Sequence, residues 1–129
     1  MILDTNFIID LMDGKESAVK RLNELLEKNE PQLIGTPTVF ELWSGIAHSQ
    51  KPTEEKAKIL QVLTAQAVVP LDQPSAEVAG EIDGRLAREG KTIDPEDCML
   101  AGIAKIRNQR ILSNDKHFER IKEVVVEKY

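Results

Sequence analysis

Met1-Ile2-Leu3-Asp4-Thr5-Asn6 carries three apolar residues straight into a polar cluster. A stretch this short and this apolar reads as a buried strand, and the polar cluster marks its exit. Strands buried on both faces belong to parallel sheets covered by helices. Asp4 then stands just past a strand's carboxyl end, which is where open α/β sheets bind their ligands.

Working outward, a short apolar helix is expected over 7–12. An amphipathic helix is expected over 15–28, with Val19, Leu22, Leu25 and Leu26 on one face. Pro31 ends that unit and 32–35 is a second strand. Thr36-Pro37 opens a helix, since proline suits a first helical turn, and that helix carries Val39, Phe40, Leu42, Trp43 and Ile46. A helix over 53–66, a β-rich run over 67–71 and a long helix over about 74–89, stopped by Gly90, follow. Asp94-Pro95 forms an N-cap and first-turn pair for the almost wholly apolar stretch 98–106. Residues 110–113 read as a strand, 115–121 as a short helix and 124–126 as a last strand. No repeat, low-complexity segment or linker interrupts the series. The alternation predicts a three-layer α/β/α domain over 1–129 with a central parallel sheet of about five strands.

The chain has 129 residues, 41% of them apolar and 4% aromatic, so its core is built from aliphatic side chains. Its single cysteine, Cys98, excludes an internal disulfide and agrees with a reducing cytosol. The first residues do not resemble a secretory leader, and no apolar run approaches the roughly 18 residues of a membrane span. A soluble cytoplasmic protein is therefore expected. The net charge of -5 argues against a general polyanion binder with a basic stripe. It leaves room for a nuclease that collects carboxylates around a metal.

Most of the 22 acids lie on polar helix faces, as Glu16, Glu24, Glu27, Glu54, Glu55, Glu77 and Glu89 do. Four have a different setting. Asp4 and Asp115 follow apolar strands, Asp97 opens an apolar helix, and Glu41 lies inside Val39-Phe40-Glu41-Leu42-Trp43. Taken singly, Asp4 and Asp115 read equally well as helix caps. Asp97 is left free by Asp94, which is the better cap. Together, three of the four sit where the expected topology brings strand ends and a helix start close, and the fourth, Glu41, lies on the helix after strand two. Like charges that close raise one another's pKa values, and a hard divalent cation relieves the conflict. No cysteine–histidine cluster competes, and His48 and His117 stand alone as surface residues or minor contacts.

At these residues the chain resembles a PIN domain, and within that superfamily the VapC-type toxins of toxin–antitoxin pairs. Ile2-Leu3-Asp4-Thr5-Asn6 resembles the family's first acidic motif and Thr38-Val39-Phe40-Glu41-Leu42 the second. The third is matched by Asp97-Cys98-Met99-Leu100-Ala101-Gly102-Ile103-Ala104, and the fourth by Ile111-Leu112-Ser113-Asn114-Asp115 with His117-Phe118 behind it. Ser113 stands where threonine is commoner. The resemblance implies a magnesium- or manganese-dependent endoribonuclease that is dimeric and inhibited by a cognate VapB-type antitoxin. It implies Asp4, Glu41, Asp97 and Asp115 as the catalytic, metal-holding quartet. Thr5, Asn6 and Ser113 would be its polar support, with Asp94 a further acid nearby that competes with Asp97 for the third place.

The expected function is RNA phosphodiester hydrolysis with one or two Mg²⁺ or Mn²⁺ ions. A catalytically silent RNA-binding or scaffold domain and an aspartate-nucleophile phosphatase are the competing readings. Asn6 stands where the commoner phosphatase motif has a second aspartate. Arg85, Arg88 and Lys91, or Lys51, Lys56 and Lys58, could touch substrate, although a solvated polar face explains them better. Phe40, Leu42, Trp43 and Ile46 exceed what one helix face can bury in a small domain, so a second subunit or an antitoxin segment is expected to cover part of them.

Overall fold

A computed structural model describes residues 1–129. The strands are β1 (Ile2–Leu3), β2 (Leu33–Gly35), β3 (Ala67–Val69), β4 (Ile111–Leu112) and β5 (Val126–Glu127). The helices are α1 (Thr5–Met12), α2 (Glu16–Glu27), α3 (Thr36–Ala47), α4 (Pro52–Ala65), α5 (Gln73–Arg88) and α6 (Pro95–Ile106). A 3₁₀ turn spans Lys116–Arg120. The five strands are all parallel in the order β3-β2-β1-β4-β5.

Alternate strand residues feed two separate cores, because successive side chains of a strand point to opposite faces. Ile2 and its register partner Ile111 join Ile82, Leu86 and the buried face of α6 on one side. Leu3 and its partner Leu112 join Phe7, Ile8, Leu25 and Leu42 on the other. The sheet is thus covered on both faces, as its continuous apolar strands require. β1 is central. The chain leaves it toward β2 and β3, then crosses back to lay β4 on its other edge, so strand order reverses between β1 and β4. Asp4 and Ser113 lie just past those two strand ends.

α6 is buried nearly all round, from Cys98 and from Leu100 to Ala104. It can pack this deeply because Gly102 lets the backbone of α5 come close. A Cβ on Gly102 would lie 2.3 Å from the carbonyl oxygen of Ser75 and 3.0 Å from the Ala79 nitrogen. Gly90, at φ +69°, turns the chain out of α5 in the left-handed conformation glycine favours.

One expectation needs correction. The last strand is Val126–Glu127 rather than 124–126: Ile111 pairs with Val126, and Arg21 and Arg110 both grip the Glu127 carboxylate, while Val125 points to solvent. The short helix expected after Asp115 is a 3₁₀ turn capped by Asp115, with Phe118 fully buried.

Candidate functional site

Asp4 is buried at the end of β1. Its Oδ1 accepts the Thr5 backbone N–H at 2.8 Å and its Oδ2 accepts the Ser113 hydroxyl at 2.6 Å. Ser113, wholly buried past β4, accepts the backbone N–H of Asp115 at 3.0 Å on the same oxygen. Asp115 in turn caps the 3₁₀ turn, its Oδ1 accepting the backbone N–H of His117 at 2.9 Å. A single relay of hydrogen bonds therefore ties Asp115 to Asp4 across the reversal in strand order. Capping and site-building coincide in both acids: each carboxylate caps the element after it and keeps oxygen lone pairs free.

Glu41 comes from α3. Its Oε1 accepts the Thr5 hydroxyl at 2.7 Å. The Thr5 and Thr38 hydroxyls are hydrogen-bonded at 3.2 Å, and Thr5 has only one proton to give, so Thr38 supplies the hydrogen there. Thr38 and Glu41 lie three residues apart and share a helix face. The segment outside the strand is steadied by Asn114, which donates to the Tyr129 carbonyl at 2.9 Å and accepts its N–H at 2.9 Å. Tyr129 also gives its hydroxyl proton to Asp10 at 2.7 Å and stacks edge-on against Phe7 at 4.8 Å.

Asp97 sits in the first turn of α6 and is 9% exposed, yet its carboxylate accepts no hydrogen bond. Burial, then the charges of Asp4, Asp115, Glu41 and Asp94, push its pKa up to about 7. Helix-terminal N–H groups favour a carboxylate's charge, so burial and the repulsion together outweigh them here. Burial raises Asp4 as well, against its bonds from Ser113 and Thr5. Glu41 is raised by burial, opposed by Thr5, with Asp4, Glu96 and Asp94 adding to the rise. One oxygen each of Asp97 and Asp115 and one ring nitrogen of His117 lie within 4.8 Å of one another. The neighbouring Cys98 thiol is pushed up to about 11 by burial and by Asp83 and Asp97, so it stays protonated and poorly nucleophilic.

The structure brings Asp4, Glu41, Asp97 and Asp115 together, with Thr5 and Ser113 bonded to them. It does not do so with Asn6, which is exposed and has no side-chain hydrogen bond to any of the four. Asp94 occupies the N-cap by its backbone, whose carbonyl accepts from Asp97 at 3.0 Å, but its side chain makes no capping bond. The carboxylate is instead exposed and adds to the field on Asp97 and Glu41. The sequence gives Thr38 no role and makes His117 a lone surface residue or minor contact, whereas the structure bonds Thr38 to Thr5 and sets His117 beside Asp115 and Asp97. The Thr38-to-Glu41 spacing and the one-residue gap between Asp115 and His117 were the signals for them. Of the basic residues, Arg85 is committed to Glu123 through bonds of 2.8 and 2.9 Å. Arg120 donates to the carbonyls of Lys91 and Thr92 at 3.4 and 3.0 Å, bracing the loop that leads to Asp94.

The PIN domain family model matches residues 1–124. A tRNA(fMet)-specific endonuclease VapC of Shigella flexneri is 33% identical over 122 residues, covering 93% of this chain and 90% of that protein. Its namesake in Salmonella typhimurium is 29% identical, covering 98% and 95%. The crystal structure of VapBC2 from Rickettsia felis, bound to a DNA fragment from their promoter, superposes with a TM-score of 0.89 at 25% identity, covering 98% of this chain and 96% of that one. DNA-bound VapBC from Salmonella typhimurium gives 0.87 at 29% identity, with the same 98% and 96% coverage.

Proposed function

This chain belongs to the PIN domain family, and from that premise we propose that it is a metal-dependent endoribonuclease, the toxin of a VapBC-type toxin–antitoxin pair. Residues 1–129 act as one nuclease domain in the cytoplasm, as a homodimer held in check by a VapB-type antitoxin. One observation carries the reading: four carboxylates converge at the reversal in strand order, and the groups that act most strongly on buried Asp97 are all acids. Such a cluster is charged and compact only when a cation joins it.

The donor set fits a hard ion. Carboxylate oxygens suit Mg²⁺ or Mn²⁺, and Asp4, Asp97 and Asp115 would hold it with Glu41 completing the set. When bound, the ion supplies activation of water and neutralisation of charge on a phosphodiester. The chain's own residues do the rest. Ser113 and the Thr5 backbone hold both Asp4 oxygens in place. Thr5 holds Glu41, and Thr38 holds Thr5. Asp97, whose pKa is pushed up to about 7, would have to give up its proton to hold a cation.

The names of the Shigella and Salmonella relatives make tRNA(fMet) the first substrate to try. A groove lined by Ile9, Met12 and Ile46 and by the acids Asp13, Glu41 and Glu55 suits an antitoxin segment. The test compares wild type with Asp4→Asn and Asp97→Asn on tRNA and single-stranded RNA, with Mg²⁺, Mn²⁺ or EDTA. An amide keeps the shape and loses the charge, so only wild type with metal is expected to cleave. Cleavage that survives EDTA, or that survives both substitutions, overturns the reading. Turnover of a small phosphate ester without RNA cleavage would point to a phosphatase, and RNA binding without cleavage to a silent domain.

A further inference from the structure

His117 carries the one ring at the site whose donor is nitrogen. Its Nδ1 lies 3.3 Å from Asp115 Oδ1. One ring nitrogen of His117, one oxygen of Asp115 and one oxygen of Asp97 form a trio of donor atoms within 4.8 Å of one another. An ion with bonds of about 2.1 Å holds adjacent ligands roughly 3 Å apart and opposite ligands roughly 4 Å apart. The 3.3 Å between His117 and Asp115 falls inside that range, and the 4.8 Å limit of the trio lies a little beyond it. A half-exposed histidine beside an aspartate is most simply an ion pair, but two further observations point to a ligand. Asp97, a residue only 9% exposed, places its carboxylate at this spot with no hydrogen bond of its own. The His117 backbone is held by the Asp115 carboxylate, and the next residue, Phe118, is fully buried, so the turn presents the ring to the acids from a fixed base.

We infer that His117 is a nitrogen ligand of the proposed metal centre and gives that centre a preference for manganese over magnesium. The inference rests on the quartet reading above and goes beyond it. Magnesium keeps to oxygen ligands and water, whereas first-row transition ions accept imidazole. A carboxylate-only site discriminates little between the two ions. One imidazole shifts the balance toward Mn²⁺.

The test uses the full chain as wild type, His117→Ala, His48→Ala and Asp97→Asn. Mg²⁺ and Mn²⁺ binding are measured by calorimetry, and the Mn²⁺-loaded proteins by electron spin-echo spectroscopy for coupling to ¹⁴N. His117→Ala removes an exposed ring and keeps the backbone N–H that bonds to Asp115, so the fold is retained. Wild type and His48→Ala are expected to show the nitrogen coupling and His117→Ala to lose it. Mn²⁺ binding to His117→Ala should weaken on the order of tenfold, the loss that even an outer partner of a ligand brings. Mg²⁺ binding should change less, so the preference shrinks. Coupling absent from wild type, coupling kept in His117→Ala, or equal weakening of both ions overturns the proposal. If His117→Ala binds Mn²⁺ as wild type does while Asp97→Asn does not, the quartet reading stands and the histidine ligand alone falls. If Asp97→Asn binds Mn²⁺ as wild type does, the quartet reading falls and the histidine ligand with it.

Discussion

Ser113 gives its hydroxyl proton to Asp4 Oδ2 at 2.6 Å while its oxygen accepts the backbone N–H of Asp115 at 3.0 Å, so one buried side chain links the two strand ends that flank the site. Ser113→Ala removes both bonds and strands a buried carboxylate oxygen. Metal affinity is expected to fall about 10- to 100-fold, as it does when a ligand loses its outer partner. The fold should survive, with stability lowered by about 1–3 kcal/mol. Calorimetric Mn²⁺ titration and thermal melts check this. Unchanged affinity would mean that the relay does not set the Asp4 orientation.

Asp97 gives the metal-free protein an inverted pH dependence. Its folded-state pKa of about 7 lies above the unfolded value, so between the two the native state binds more protons than the unfolded one. Stability from this group is full below pH ~4 and falls as pH rises to about 7. Asp97→Asn should flatten that slope and melt above wild type at neutral pH without metal. Melts of both proteins in EDTA from pH 4.5 to 8 test the sign, and a wild-type stability that rises across that window because of Asp97 would contradict it.

Saturating metal should stabilise wild type more than a variant that lacks one ligand. A ligand that binds only the native state adds about 2–3 kcal/mol at a hundredfold excess over its dissociation constant. Wild type should gain that much from Mg²⁺ or Mn²⁺ and Asp115→Asn much less. Glu27→Gln, on the exposed face of α2, should gain as wild type does. Equal shifts in all three proteins would place the cation elsewhere.

Gly102→Ala tests how α6 delivers Asp97. The added methyl would meet the Ser75 carbonyl at 2.3 Å, a backbone atom that no rotamer change can move. A loss of about 1–3 kcal/mol is expected from overpacking. A second effect is a weakened metal site, because α6 must shift away from α5 and take Asp97 with it. Denaturant melts and Mn²⁺ titration read the two separately. Full stability would show that the α5–α6 contact yields more easily than its geometry implies.

The single tryptophan reports on assembly. Trp43 is 41% exposed and Phe40 63% exposed on α3, while Leu42 on the same helix is buried. Trp43 emission should therefore be red-shifted in a monomer and move to the blue when a second subunit or an antitoxin covers the helix. Light scattering at tens of micromolar alongside the spectra decides it. A strict monomer whose Trp43 emission is already blue would contradict the exposed face.

Much of this was legible because apolar patterning is local. Ile2-Leu3, Leu33-Ile34 and Ile111-Leu112 read as strands since nothing polar interrupts them, and the Asp4, Asp97 and Asp115 positions follow from where those runs and the α6 run begin or end. Glu41 stood out as an acid among apolar neighbours. The tertiary structure decided what depends on distance through space. It set β4 beside β1, which brought Ser113 onto Asp4 from 109 residues away. It turned Asn6 outward, left the Asp94 side chain free of its cap, and swung His117 toward Asp97. Residue order specifies which backbone stretches are buried, because the hydrophobic effect acts on runs of side chains. Which polar atom of a short side chain meets which partner depends on strand order, helix tilt and rotamer together, and those are settled only when the whole sheet and its helices pack.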